Sequence, residues 1–107
     1  MSAAPLRIAG SLVHDARSYV QPDGVAWLQV EFAMRGSPLS VRASRRLGQG
    51  PAAQIAAGNA AHHLRRGATV IVHASRFDIV LGRTPHLVLL DVQAIEHQPV
   101  VDQREAA

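Results

Sequence analysis

The sequence predicts a small all-β domain of five strands with one short helix between the third and the fourth. Three observations carry this. Apolar and polar residues alternate in segment after segment with a period of two, the spacing of a half-buried strand. A single alanine-rich stretch beginning at Pro51 breaks that rhythm. Turn residues punctuate the chain at Pro22-Asp23-Gly24, at Arg35–Pro38 and around Gly82 and Pro85.

The first strand is predicted over Leu6–His14, where Leu6, Ile8 and Leu12 are apolar and Gly10 interrupts them. An isolated glycine inside a strand marks a bulge or a sharp bend. The strand is therefore expected to bend at Gly10 and to serve both halves of a curved sheet. The polar run "DARSYVQPDG" that follows is read as loop and turn. Val25–Met34 alternates, with Leu28, Val30 and Phe32 on one face and Trp27, Gln29 and Glu31 on the other. The third predicted strand covers Leu39–Arg46, with Leu39, Val41 and Ala43 on one face and Ser40, Arg42 and Ser44 opposite.

Pro51 suits the first turn of a helix. Ala56, Ala60 and Leu64 lie four apart on a narrow stripe with Ile55 beside it. Arg65 and Arg66 are placed in the last turn, where cations oppose the negative end of the helix dipole, and Gly67 in the left-handed cap position. The fourth strand is predicted over Ala68–Phe77. Val70, Val72 and Ala74 share one face, and Thr69, Ile71, His73 and Ser75 share the other. Phe77 is assigned to the core, Asp78–Pro85 to a short hairpin tip, and His86–His97 to the fifth strand. Residues 1–98 form one domain, and 99–107 read as a flexible C-terminal tail.

Three strands, a helix and two strands is the order of the five-stranded antiparallel OB-fold barrel, whose helix plugs the barrel between strands three and four. On pattern alone, an open α+β sheet with one helix packed on it is the alternative. The 107 residues match one domain. No apolar run is long enough to span a bilayer, and the start lacks the character of a secretory signal, so a cytoplasmic protein without membrane contact is expected. With no cysteine, disulfides and thiolate metal sites are excluded.

All eleven basic residues are arginine, and the net charge is +3. Guanidinium grips phosphate in a bidentate fork and stacks on flat groups, so an anionic partner is suggested. Arg42, Arg45 and Arg46 cluster at the third strand and its exit. They suit phosphate contacts; the plain alternative is a charged edge that blocks strand-to-strand pairing. Trp27 lies opposite the apolar face of its strand, as a base-stacking platform or as a residue covered at a subunit interface. Arg17 and Tyr19 fall in the loop between the first two strands, which OB proteins use for ligands. Arg76 is added to the phosphate-neutralising set. His62 and His63 are adjacent, and His73 with His86 could face each other across the last two strands. Neither arrangement reaches three metal ligands. Asp91 is expected to pair with a strand arginine. No nucleophile elbow, phosphate loop or paired carboxylates appear, so no enzyme activity, metal or cofactor is expected.

The passage "GSLVHDARSYVQPDGVAWLQVEFAM" resembles the opening of bacterial single-stranded DNA-binding proteins. Gly10, Leu12, Asp15, Asp23 and Gly24 occupy matching places, and Ala16 stands where that family usually has proline. "AAHHLRRGATVIVHASRF" resembles the family's helix-to-strand passage through Leu64, Arg66, Gly67, Val70 and Val72. The final strand resembles the barrel-closing strand of the related primosomal replication protein N. The resemblance covers Leu6 to Ile95. It implies binding of single-stranded DNA with little sequence preference, in replication, repair or recombination, by a dimer or tetramer that works beside replication or primosome proteins. Trp27 and Ile71, on outward faces, are the expected self-association residues. The chain departs from the family in its few aromatics, in the tryptophan missing from "RASRRLGQG" and in its ending "VVDQREAA", which favours an accessory or mobile-element type. An OB module that binds protein rather than nucleic acid is the alternative.

Overall fold

A computed structural model describes residues 6–98. The order is β1 (Leu6–Leu12), β2 (Arg17–Val20), β3 (Val25–Met34), β4 (Ser40–Gln49), α1 (Pro51–His63), β5 (Thr69–Val80) and β6 (His86–Gln98). The predicted tail, 99–107, lies outside the described residues.

The strands form one sheet in the order β1-β5-β6-β4-β3-β2, and an additional β1–β3 pairing closes it into a ring. Gly10 is the hinge of that closure. β1 pairs with β5 from Leu6 to Ser11 and with β3 from Gly10 to Leu12, so the strand serves two neighbours where it bends. A Cβ at Gly10 would collide with the Ala33 carbonyl and stand 2.5 Å from Cδ2 of Phe32. Only glycine lets the two backbones approach this closely.

Two features of the predicted barrel are corrected. The sheet has six strands, because Arg17–Val20 pairs with β3 instead of looping freely. It is also mixed, because β4 runs parallel to β6 over four residue pairs, Ser40↔His86 to Ala43↔Leu89. The second correction follows from geometry. Strand directions cannot alternate all the way round a ring of five, so at least one neighbouring pair must be parallel. A parallel neighbour needs a long crossover, which here runs through α1 and β5. In outline the result is OB-like, with the helix where the element order placed it.

The interior follows the alternation. Leu28, Val30 and Phe32 of β3 meet Val41 and Ala43 of β4, Val70, Val72 and Ala74 of β5, and Leu87 and Leu89 of β6. Phe32 is fully buried, and burying a side chain of that size contributes about 1.5–3 kcal/mol. The helix packs over β2, β3 and β4. Its buried residue is Ala57, while Ala56 is exposed and Ile55 is 64% exposed. Of the predicted stripe, Ala60 and Leu64 reach the core beside Ala61, while Ala56 and Ile55 do not.

The helix stops at His63, so Arg65 and Arg66 lie beyond its last turn. They clasp Asp15 instead: the Arg66 N–H donates to Oδ1 at 2.7 Å and the Arg65 guanidinium lies 3.4 Å from Oδ2. The Arg66 amide first, and then the Arg65 charge, hold the Asp15 carboxyl below its usual range. Gly67 takes the left-handed conformation, φ +90°, and its N–H donates to the Leu12 carbonyl.

β5 continues through Asp78–Val80, so the hairpin to β6 is longer than predicted. Phe77 is half exposed there, not core, and Ile79, Val80 and Leu81 are exposed with it. Ile71 faces outward but is only 7% exposed, so it is not available as an interface residue. His73 pairs with Ala94 and His86 with Val80, so the two histidines do not face each other. No group of metal-ligating side chains and no helix long and apolar enough to cross a membrane occurs among the described residues.

Candidate nucleic-acid interface

The outward face of β2, β3 and β4 gathers most of the residues singled out from the sequence. Cross-strand register does the work. Arg17 pairs with Gln29 and Tyr19 with Trp27 across β2 and β3. Trp27 pairs with Arg46, and Glu31 with Arg42, across β3 and β4. Residues directly opposite each other point the same way, so Arg17, Tyr19, Trp27, Arg42 and Arg46 share one face.

Tyr19 and Trp27 stack with ring centroids 6.3 Å apart and planes 6° from parallel, an offset geometry that aromatic pairs favour. The pair is a flat platform. Tyr19 is its more open member at 39% exposed, and Trp27 is half-buried behind it. The indole Nε1–H of Trp27 is shielded from solvent and has no acceptor among the described residues. A buried donor without a partner costs roughly 1–3 kcal/mol. A one-residue bulge beside the platform, where the β3–β4 register shifts between Ala26 and Trp27, sets the tryptophan opposite Arg46.

Two hollows, of which the second reaches Trp27, meet at Gln29 and Arg42. One, of about 280 Å³, lies between His14, Arg17, Glu31 and Arg42. The other, of about 350 Å³, runs from Trp27 past Arg42 and Ser44 to Val88, Leu90 and Asp91 on β6. Together they make a trough across the face of the sheet.

The cations are not equivalent. Arg42 Nε stands 3.6 Å from Glu31, which also accepts the Ser40 hydroxyl at 2.7 Å and lies 3.7 Å from His14. The Ser40 hydrogen bond first, then the charges of Arg42 and His14, hold the Glu31 carboxyl below its usual range against the opposing effect of burial. Arg76 donates to Asp91 at 2.8 Å, and that bond raises the guanidinium further above its usual value. The expected pairing of Asp91 with a strand arginine is therefore present, and it ties Arg76 to the far margin of the trough. Asp91 is the only described non-glycine residue with a positive φ, 54°. Arg17 and Arg46 form no ion pair among the described residues and are the open cations of the face.

Arg45 is separated from this group. Alternation turns it to the opposite side of β4 from Arg42 and Arg46, against Leu28 and beside α1. Gln29, Ser44, Val88 and Leu90 line the trough and were not singled out from the sequence. Alternation in the sequence already sets the first two on the polar faces of their strands. Val88 and Leu90 reach the trough through the β4–β6 pairing, for which the sequence carries no local signal.

Compared with protein-family models, with curated proteins and with solved structures, the chain gives no match.

Proposed function

We propose that the protein is an OB-type barrel that binds single-stranded DNA, with little sequence preference, along the trough over β2, β3 and β4. The observation that carries this is the stacked Tyr19–Trp27 pair set among Arg17, Arg42 and Arg46. Binding a single strand needs cations along a groove and flat side chains on which bases stack, and one face supplies both. In the OB reading β1, β3, β4, β5 and β6 are the five barrel strands, and β2 belongs to the connection between the first two. The helix between β4 and β5 and the double pairing at Gly10 support it. The role is binding, not catalysis, and the setting proposed is cytoplasmic DNA replication, repair or recombination.

Titration of a labelled oligonucleotide at several salt concentrations is the test. Affinity should fall with salt at a slope of about −0.7 per phosphate contact. Trp27→Ala should weaken binding roughly tenfold or more, from the loss of one stacked base. Arg46→Ala should flatten the slope by about 0.7, and Arg45→Ala should leave it unchanged. Absence of binding at low salt would refute the proposal.

The exposed apolar residues Phe77, Ile79, Val80 and Leu81 on the β5–β6 hairpin favour a second reading. Apolar surface on a protruding hairpin suits docking or self-association, and a dimer is the commonest closed assembly. A sedimentation mass of one 11.5 kDa chain at micromolar concentration would count against self-association.

A further inference from the structure

A pocket of about 280 Å³ opens at the end of the ring, on the side of the sheet away from the trough. We infer that it binds a small anionic amphiphile, an aliphatic carboxylate whose apolar body enters the pocket and whose charge meets Arg45. This goes beyond the nucleic-acid reading and does not rest on it.

The walls and the mouth of the pocket differ in chemistry. Leu28 and Leu64, 3% and 4% exposed, lie deepest. Leu47 and Ile95 are half-buried beside them, and α1 adds small alanines that leave the space open. Among the described residues, the polar members of the lining are all basic: Arg45, His63 and His97. Ligand sites are concave, mainly apolar, and carry a few convergent polar groups. Aliphatic walls suit a hydrocarbon chain better than a base. A guanidinium beside them suits a carboxylate, which it can grip with two parallel hydrogen bonds.

The local structure keeps these groups available. Among the described residues, Arg45 forms no ion pair and no acidic side chain lines the pocket. His63 Nδ1 lies 2.8 Å from the Asn59 carbonyl. A carbonyl only accepts, so Nδ1 carries the hydrogen. The ring is thereby fixed, with Nε2 left free.

Octanoate is the probe and 1-octanol its uncharged counterpart, each titrated into the full chain by calorimetry. Octanoate should bind with one-to-one stoichiometry. Arg45→Gln should weaken it roughly tenfold or more while leaving 1-octanol nearly unaffected. Ala56→Trp, at an exposed helix position on the pocket wall, should block both, with far-UV circular dichroism checking that each variant is folded. Three results would overturn the inference. Octanoate at millimolar concentration gives no binding heat. Arg45→Gln leaves octanoate affinity unchanged, whether or not it weakens DNA binding. Ala56→Trp alters the sedimentation mass, which would make a second copy the occupant.

Discussion

Replacing Gly10 with alanine adds one methyl group at the point where β1 leaves β5 for β3. The added carbon would collide with the Ala33 carbonyl, and would sit 2.5 Å from Cδ2 of Phe32 and 2.9 Å from the carbonyl carbon of Ala33. Two of these atoms are backbone and the third belongs to a fully buried ring, so no flexible side chain can yield. Relief requires β1 to move off β3, across the pairs Gly10↔Met34, Ser11↔Ala33 and Leu12↔Phe32. Overpacking of this kind costs about 1–3 kcal/mol, and each weakened ladder hydrogen bond about 0.5–1.5 kcal/mol. The stiffer unfolded chain returns about 0.4–1 kcal/mol. The net expectation is a loss of about 2–5 kcal/mol, a large share of the roughly 5–15 kcal/mol that holds a domain together. Urea unfolding followed by fluorescence of the single tryptophan would read this as a midpoint lowered by about 1–3 M. Gly58→Ala is the internal control. It is the same chemical change in the middle of α1, with nothing within 4 Å of the added carbon, and it should stabilise by roughly 0.5–1 kcal/mol. A Gly10→Ala variant within 1 kcal/mol of the parent, at unchanged denaturant dependence, would refute ring closure at this residue.

Two further outcomes follow from the ion pairs. Glu31 and Asp15 have carboxyls lowered by their partners, so in the acid range the unfolded chain binds more protons than the folded one. Their stabilisation is therefore present above the ordinary carboxylate range and is lost as pH falls through the lowered values; thermal melts from neutral to acid pH should show the decline, and Glu31→Gln should make it shallower. Asp91→Asn releases Arg76 from its 2.8 Å partner. On the nucleic-acid reading it should tighten binding at low salt and steepen the salt slope by about 0.7, and an unchanged slope would remove Arg76 from the interface.

The legible parts of the fold are those with one buried face. β3 is alternately buried and half-buried along most of its length, and its apolar positions announced it. The glycine in β1 announced its bend. The sequence predicts a loop where β2 lies because all four of its residues are exposed. A strand without a buried face has no apolar period to detect, and Pro22-Asp23-Gly24 beside it strengthened the loop reading. The end of β5 failed in the same way, since Arg76–Val80 are all exposed. The parallel β4–β6 pair is non-local and left no trace in either segment. Its necessity appears only once the ring is known to close with an odd number of strands.

The site was legible to the same extent, and the arginines show why. Arg42, Arg45 and Arg46 look like one cluster because they are close in the chain. On a strand, however, neighbours point to opposite faces, and residues two or four apart share one. Arg42 and Arg46 therefore share the outer face with Trp27, which Arg46 directly opposes, while Arg45 turns toward Leu28 and the helix. The alternation of Leu28, Val30 and Phe32 already contained this division, since Trp27 and Arg46 had only to be set opposite each other. What no local pattern contained was Tyr19 stacked on Trp27. Tyr19 is a candidate of the ligand loop in the sequence, but its place on Trp27 depends on β2 being a strand at all, a pairing that the sequence does not announce.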